Sequence, residues 1–322
     1  MSWLSYTKAL NRALADALAE DPTVCLLGED IGAGLAGPTL GLQKRFGASR
    51  VVDTPLSEQG FTGVAVGAAL AGLRPVIEFQ IPSLLFLVFE QLVNQAHKFS
   101  LMTGGQTGVP LTCLVPGSGS RDGWAGQHSD HPYGLFAHMG VKTVVPATPT
   151  DAYGLLRSAI ADPDPVVVFA PAAALGVRDD VTGPLPVIPL GQARVHRAGT
   201  DVTVVAVGHL VHESLAVARE LAEEGISVEV LDPRTLYPFD WEALGTSLEK
   251  TGRLVVIDDS NRSCGIGAEI LATAAEQYRL TAPPRRITRP DGAVLPFARE
   301  LDRALQPGRE QLRHAVHATL KH

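Results

Sequence analysis

The sequence predicts an α/β protein of two domains, both built on mostly parallel sheets. Three observations carry that expectation. First, short β-branched or apolar runs recur without polar alternation, as in strands buried on both faces of a parallel sheet. Second, helix-like segments separate several of these runs. Third, a Pro-, Gly- and Ala-rich stretch between Pro171 and Gly199 interrupts the pattern, which then restarts. The expected boundaries are a first domain over 1–180, a connector over 181–198 and a second domain over 199–322.

Element by element, residues 5–19 place Tyr6, Leu10, Ala13, Leu14, Ala17 and Leu18 on one helical face, with Ser5 as N-cap. Strands are expected at 24–27, 51–56, 75–80, 109–116, 143–146 and 165–170, and helices at 58–72, 83–101 and 150–161. Beyond the connector come strands at 201–208, 227–231, 253–258 and 285–290, alternating with helices at 211–224, 240–250 and 267–278. The helix FTGVAVGAALAG (61–72) is dense in Gly and Ala, which cost helix propensity and so need a packing reason. Crowding inside the domain and a helix at a subunit interface both fit.

At 322 residues the chain can bury two cores. Its net charge of −7, without a basic cluster, argues against nucleic-acid binding. The run IPSLLFLVF stops at Glu90, short of the roughly 20 apolar residues a membrane span needs. MSWLSYTKALNRAL lacks the apolar core of a signal peptide. Three scattered cysteines make neither a disulfide framework nor a CxxC site. A cytoplasmic location is therefore expected.

Ligands of open parallel sheets sit at the carboxyl ends of strands. Three strands end in acids or amides there: Glu29 with Asp30, Glu58 with Gln59, and Glu78 with Gln80. A lone acid in such a place is ordinarily a solvated loop residue or a helix-start neighbour, and Glu58 beside Ser57 fits that description. The loop GSGSRDGWAGQHSDHPYG (117–134) is long enough to be functional, and its Trp124, His128, His131 and Tyr133 argue against disorder. HSDH, with His138, resembles a metal set but lacks a zinc spacing. The pairs His209/His212 and His314/His317 read as solvated helix faces. GIGAE (265–269) lacks the third glycine of a dinucleotide fingerprint and follows the acids DDS, which would repel a pyrophosphate. No GDG motif leads to a downstream Asn, the usual metal–diphosphate anchor of thiamine enzymes.

Taken in order, LLGEDIG, FGASRVVDTPLSEQGFTGVAVGAALAGLRPVIEFQ, GQHS, DAYGLLRSAI, DPVVVF, VEVLDPRTLYPFD, KTGRLVVIDD and GIGAEI resemble the β subunits of thiamine-diphosphate-dependent 2-oxo acid dehydrogenases, within the transketolase-like group. The resemblance spans almost the whole chain. It implies a pyrimidine-binding domain followed by a transketolase C-terminal-like domain. It assigns Glu58 to the aminopyrimidine of thiamine diphosphate as proton-transfer partner, and Glu29 to a second acid beside the cofactor. Gln80 and Leu84 fall beside the cofactor ring, and His128 on the histidine that assists acyl transfer to a lipoyl group. It also places a potassium ion on the backbone carbonyls of Leu111, Ala159, Asp162 and Asp164.

The resemblance further implies that an α subunit holds the diphosphate and its Mg2+, in an α2β2 heterotetramer that serves a lipoylated acyltransferase. Three positions depart from the family pattern: Leu84 stands for an aromatic residue, Leu114 for an arginine and Ala170 for an acid. They bear on the acceptor and the substrate pocket, and motivate the rival expectation of a transketolase-like biosynthetic enzyme with a non-lipoyl acceptor. A non-catalytic partner subunit is a third reading, opposed by Glu58, Glu29 and His128. An NAD-linked oxidoreductase is a fourth, weakened by the lack of a phosphate-binding loop.

Overall fold

The computed structural model describes residues 2–321. The first part of the chain runs β1 (Ser2–Ser5), α1 (Tyr6–Glu20), β2 (Val24–Gly28), α2 (Leu42–Phe46), β3 (Val51–Asp53), α3 (Glu58–Leu70) and β4 (Arg74–Glu78). It continues through α4 (Leu84–Leu87), a π-helical stretch Glu90–His97, α5 (Lys98–Met102), β5 (Thr112–Ser118), α6 (Tyr133–His138), β6 (Lys142–Val144), α7 (Pro149–Ala161), β7 (Val166–Pro171) and β8 (Arg178–Val181). The second part runs β9 (Arg194–Arg197), β10 (Val202–Ala206), α8 (Leu210–Glu223), β11 (Val228–Asp232), β12 (Thr235–Tyr237), α9 (Trp241–Thr251) and β13 (Leu254–Asn261). It ends with α10 (Ile266–Gln277), β14 (Arg285–Arg289), α11 (Arg299–Leu305) and α12 (Arg309–Leu320).

The larger sheet has the order β12-β6-β7-β5-β4-β2-β3 and the smaller β14-β13-β10-β11-β9. Each is parallel except for one edge strand: β12 is antiparallel to β6, and β9 is antiparallel to β11. The strands are buried on both faces, which is why they read as apolar runs without alternation.

Ser5 caps α1 as expected, its Oγ accepting from the Lys8 amide at 3.4 Å, and all six apolar positions named from periodicity are buried. The expected helix over 83–101 is instead broken into α4, the π-helical stretch and α5. The expected strand over 51–56 stops at Asp53, because Pro55 carries no amide to extend the ladder. Four strands were not foreseen: β1, β8, β9 and β12. β9 is rich in Arg and only partly buried, and β12 is three residues long, so neither shows a strand pattern.

β12 belongs in sequence to the second part but pairs with the first sheet. The domains are thus tied at the backbone, and the tie is buried: Arg234 Nη1 donates to Asp151 Oδ1 at 3.1 Å, and the Val145 amide donates to the Arg234 carbonyl at 2.8 Å. No helix among the described residues is long and apolar enough to cross a membrane.

α3 buries Phe61, Thr62, Ala65, Val66 and Ala69 and turns Gly60, Gly63, Val64, Gly67 and Leu70 outward. A Cβ added at Gly63 or Gly67 would meet nothing within 4 Å. Crowding inside the domain therefore does not explain these glycines. Because an exposed helical glycine costs conformational entropy and gains nothing within the chain, Gly67→Ala should stabilise the isolated chain by about 0.5–1 kcal/mol, read from the denaturant midpoint.

Candidate active site

The pairing of β2 with β3 and β4 sets Gly28 opposite both Asp53 and Glu78. The acids that follow these strands are thereby gathered at one sheet edge. Gly28 is required there, since a Cβ would stand 2.7 Å from the Glu78 carbonyl oxygen. Glu29 follows β2, and Glu58 opens α3, where unpaired amide N–H groups favour a carboxylate. The Glu58 carboxyl group lies beside that of Glu29, whose buried Oε1 has no hydrogen-bond partner. Burial first, then the charge and hydrogen bond of Glu58, and then Asp30, push Glu29 up to about 7. No cation offsets Glu29: its surroundings supply only burial and further acids. Ser57 makes no side-chain cap, and Glu58 stands in the first turn of α3.

Gln80 joins the pair, its Nε2 donating to the Glu29 carbonyl at 2.7 Å. Leu84, the first residue of α4, packs half-buried on the core cluster that contains Phe61 and Phe79. Glu78 behaves differently. It is 4% exposed, neither carboxylate oxygen has a hydrogen-bond partner, and the adjacent Thr39 hydroxyl only partly counters burial, which pushes it up to about 8. At neutral pH Glu78 is a protonated acid inside the sheet.

The loop 117–134 is ordered by contacts at both ends. The Gly119 amide donates to the Asp130 carbonyl at 2.9 Å, and Ser83 Oγ donates to Asp130 Oδ2 at 2.5 Å. The second domain holds the rest: Ser120 Oγ donates to Asp302 Oδ2 at 2.9 Å, Arg303 Nη2 to Asp122 Oδ2 at 2.8 Å, and Arg289 Nη1 to the Ser129 carbonyl at 3.1 Å. His128 ends a single 3-10 turn, Gly126–His128, half-buried and edge-on to Trp124 with ring centroids 6.0 Å apart.

His131 goes elsewhere. It is buried, with Nδ1 2.6 Å from Asp259 Oδ1 and Nε2 3.0 Å from Ser118 Oγ. The two histidines of HSDH therefore do not converge as metal ligands. The one cluster of metal-type ligands among the described residues is Asp151, His196 and Asp232. Arg234, 3.1 Å from Asp151, already serves that carboxylate as an interdomain tie, and His196 lies 3.2 Å from Asp232 within the second domain.

Of the expected potassium ligands, the carbonyls of Leu111, Ala159 and Asp162 accept from the Val166 amide, the Asp162 amide and Arg74 Nη1 at 2.9, 3.3 and 3.2 Å. The carboxylates of Asp162 and Asp164 are bridged by Lys142 Nζ at 2.6 and 3.1 Å. Leu114 and Ala170, two of the departures from the family pattern, are wholly buried core residues in β5 and β7.

Sequence reading missed the buried group of Ser118, His131, Tyr133, Asp258, Asp259 and Arg289. Its signal lay in the two glycines around Ser118 and in the acids DDS that end β13; what hid it was a separation of over a hundred residues between the partners.

The sequence and fold match known proteins throughout. The transketolase pyrimidine-binding domain family matches residues 2–177 and the transketolase C-terminal domain family residues 191–312. A split-gene transketolase, solved as an inactive β4 tetramer, shares the fold with a TM-score of 0.81 at 22% identity, covering 99% of both chains. These define the class: a transketolase-like protein with a pyrimidine-binding domain.

The β subunit of acetoin:2,6-dichlorophenolindophenol oxidoreductase from Bacillus subtilis is 43% identical over 93% of this chain and 92% of its own. The pyruvate dehydrogenase E1 component subunit β of Leifsonia xyli is 41% identical over 88% and 86%. The 3-methyl-2-oxobutanoate dehydrogenase subunit β of Mycobacterium tuberculosis is 40% identical over 99% and 92%. The chain belongs to the family of 2-oxo acid dehydrogenase E1 β subunits.

The raised Glu78 has a consequence for stability. Because its folded value of about 8 exceeds the ordinary 4.5, the native state is favoured by protonation and loses stability as pH rises between those values. Glu78→Gln should match the wild type near pH 4.5 and become progressively more stable than it up to pH 8, where the gain levels off. A tenfold change in proton affinity is worth about 1.4 kcal/mol, so the difference is readable in thermal melts across pH.

Proposed function

We propose that this chain, paired with an α subunit, decarboxylates a 2-oxo acid with thiamine diphosphate and passes the acyl group to a lipoyl acceptor. The observation that carries the reading is the meeting of Glu29 and Glu58 at the carboxyl edge of the sheet, where burial and Glu58 push Glu29 up to about 7 with no cation beside it. Such a pair suits a basic heterocyclic nitrogen, to which it can give and from which it can take a proton near neutral pH. The relatives named above lend no support to the alternative of a non-lipoyl acceptor.

Thiamine diphosphate, when bound, supplies a nucleophilic carbon and an electron sink for the released carboxyl group. This chain's residues do the rest on the aminopyrimidine side. Glu58 holds the proton at the ring nitrogen, and Glu29 holds the proton that Glu58 must lose and regain. Gln80 fixes the Glu29 backbone. Leu84 gives an apolar wall at the place of the usual aromatic ring. His128, beside Trp124, exchanges a proton with the acyl acceptor.

The missing diphosphate anchor leaves Mg2+ and the phosphates to the α subunit. The outward face of α3, with its glycines and with Val64 63% exposed, supports a close subunit contact in an α2β2 assembly. Potassium suits the carbonyls of Leu111, Ala159, Asp162 and Asp164. A carbonyl keeps a second lone pair after one hydrogen bond, while the nearby carboxylates, spent on Lys142, leave little for a divalent ion.

Co-expressed with its α chain, the protein should bind thiamine diphosphate with Mg2+ in calorimetry, and the isolated chain should not; tight binding by the isolated chain would overturn the split site. Glu58→Gln should lower decarboxylation about 100- to 10,000-fold, the ordinary worth of a proton-transfer group, and unchanged turnover would show that another acid acts. Glu29→Gln should remove the ionisation near pH 7 from the rate profile of the assembled enzyme.

A further inference from the structure

The acid pair leaves unused a second constellation at the end of β5. Gly117 and Gly119 flank Ser118 with left-handed φ values of +78° and +81°. A Cβ on Gly117 would stand 2.4 Å from Arg121 Nη2, and one on Gly119 would stand 2.4 Å from His131 Cε1. The two glycines thus make room for a guanidinium on one side of Ser118 and an imidazole on the other. His131 Nε2 is 3.0 Å from Ser118 Oγ, and Nδ1 is 2.6 Å from Asp259 Oδ1. Those separations are the ones a nucleophile, its base and the base's orienting carboxylate require.

The surroundings fix each member. Burial alone would raise the Asp259 carboxyl, but His131, bonded to it, together with His209 and Arg289, holds it well below the usual carboxylate range. The Tyr133 hydroxyl, which donates to Asp258 Oδ1, stands 3.1 Å from the same Asp259 Oδ1. Arg121 is fixed by hydrogen bonds from Nε and Nη2 to the Gly117, Pro116 and Gln80 carbonyls, which leaves Nη1 to face an incoming group.

Ser118 and Asp259 line a cavity of about 420 Å3 between the domains, with Ser120, Arg121, His209 and Gln306 also on its walls. Four buried polar atoms of this cluster lack hydrogen-bond partners: Asp259 Oδ2, His131 Nδ1, His209 Nδ1 and Arg289 Nη2. The last two each stand 3.9 Å from the first. That spacing leaves space for one oxygen atom to bond these three, and buried polar groups of native proteins seldom go without a partner.

We propose that Ser118, His131 and Asp259 form a nucleophilic serine site that takes small acyl esters or thioesters from this cavity and hydrolyses them. Ser118 Oγ attacks the carbonyl carbon while its proton passes to His131 Nε2. Asp259 Oδ1, 2.6 Å from Nδ1, stabilises the imidazolium, and Arg121 Nη1 offsets charge on the carbonyl oxygen. The C–O or C–S bond breaks, and the departing alcohol or thiol takes the proton from Nε2. A water held beside Asp259 then attacks the acyl-serine, giving its proton to Nε2. The carboxylic acid leaves, Ser118 recovers its proton and no oxidant is needed.

The test uses the full chain without thiamine diphosphate, so its outcome does not depend on the function proposed above. Incubation with a fluorophosphonate probe should label one serine, which peptide mass spectrometry identifies as Ser118, and the chain should hydrolyse p-nitrophenyl acetate. Ser118→Ala loses one hydrogen bond and should melt near the wild type. It should abolish labelling and lower ester turnover at least about 100-fold, as loss of a nucleophile does. His131→Gln, which keeps a polar group against Ser118, should do the same. If it fails to fold, the Ser118→Ala result decides. A purely structural cluster predicts otherwise: an unlabelled Ser118 in the folded wild type, or turnover unchanged in Ser118→Ala, overturns the proposal.

Discussion

Two neighbouring carboxyl groups, one of them raised by burial and by the other, set the character of this protein. Glu29 and Glu58 come from different strand ends, and only the parallel register of β2 with β3 brings them together. Once they are together, burial, Glu58 and Asp30 push Glu29 up to about 7. Gly28, Gln80 and the start of α3 make sense as the parts that hold this arrangement still.

The second domain matters to the first beyond adding bulk. It lends a strand to the larger sheet, neutralises Asp151 through Arg234, and grips the 117–134 loop from Asp122 through Tyr133. A loop of that length and glycine content would be mobile on its own domain. Here His128 is carried on a segment anchored at Ser120, Ser129 and His131, so its placement depends on residues 259, 289 and 302. The same grip creates the interdomain cavity and the Ser118–His131–Asp259 alignment.

Much of the fold was legible. Apolar runs located most strands, and the periodicity of α1 named its buried face correctly. What failed did so for physical reasons. β12 has three residues and is stabilised by the strand it joins rather than by its own composition. The helix expected over 83–101 has the right polarity throughout, and only packing shows where its turns widen. Leu114 and Ala170 drew notice as departures from a family pattern, yet both lie wholly within the core.

The sequence by itself determined the fold class and the family, because both rest on ordered runs of residues that survive as strings. It also singled out Glu58, Glu29 and His128, though only by their place in those strings. Tertiary structure alone decided that Glu58 and burial raise Glu29, that burial raises Glu78, and that the two histidines of HSDH part ways. Charge state and partnership depend on distance and dielectric, and neither quantity exists until distant segments are packed together.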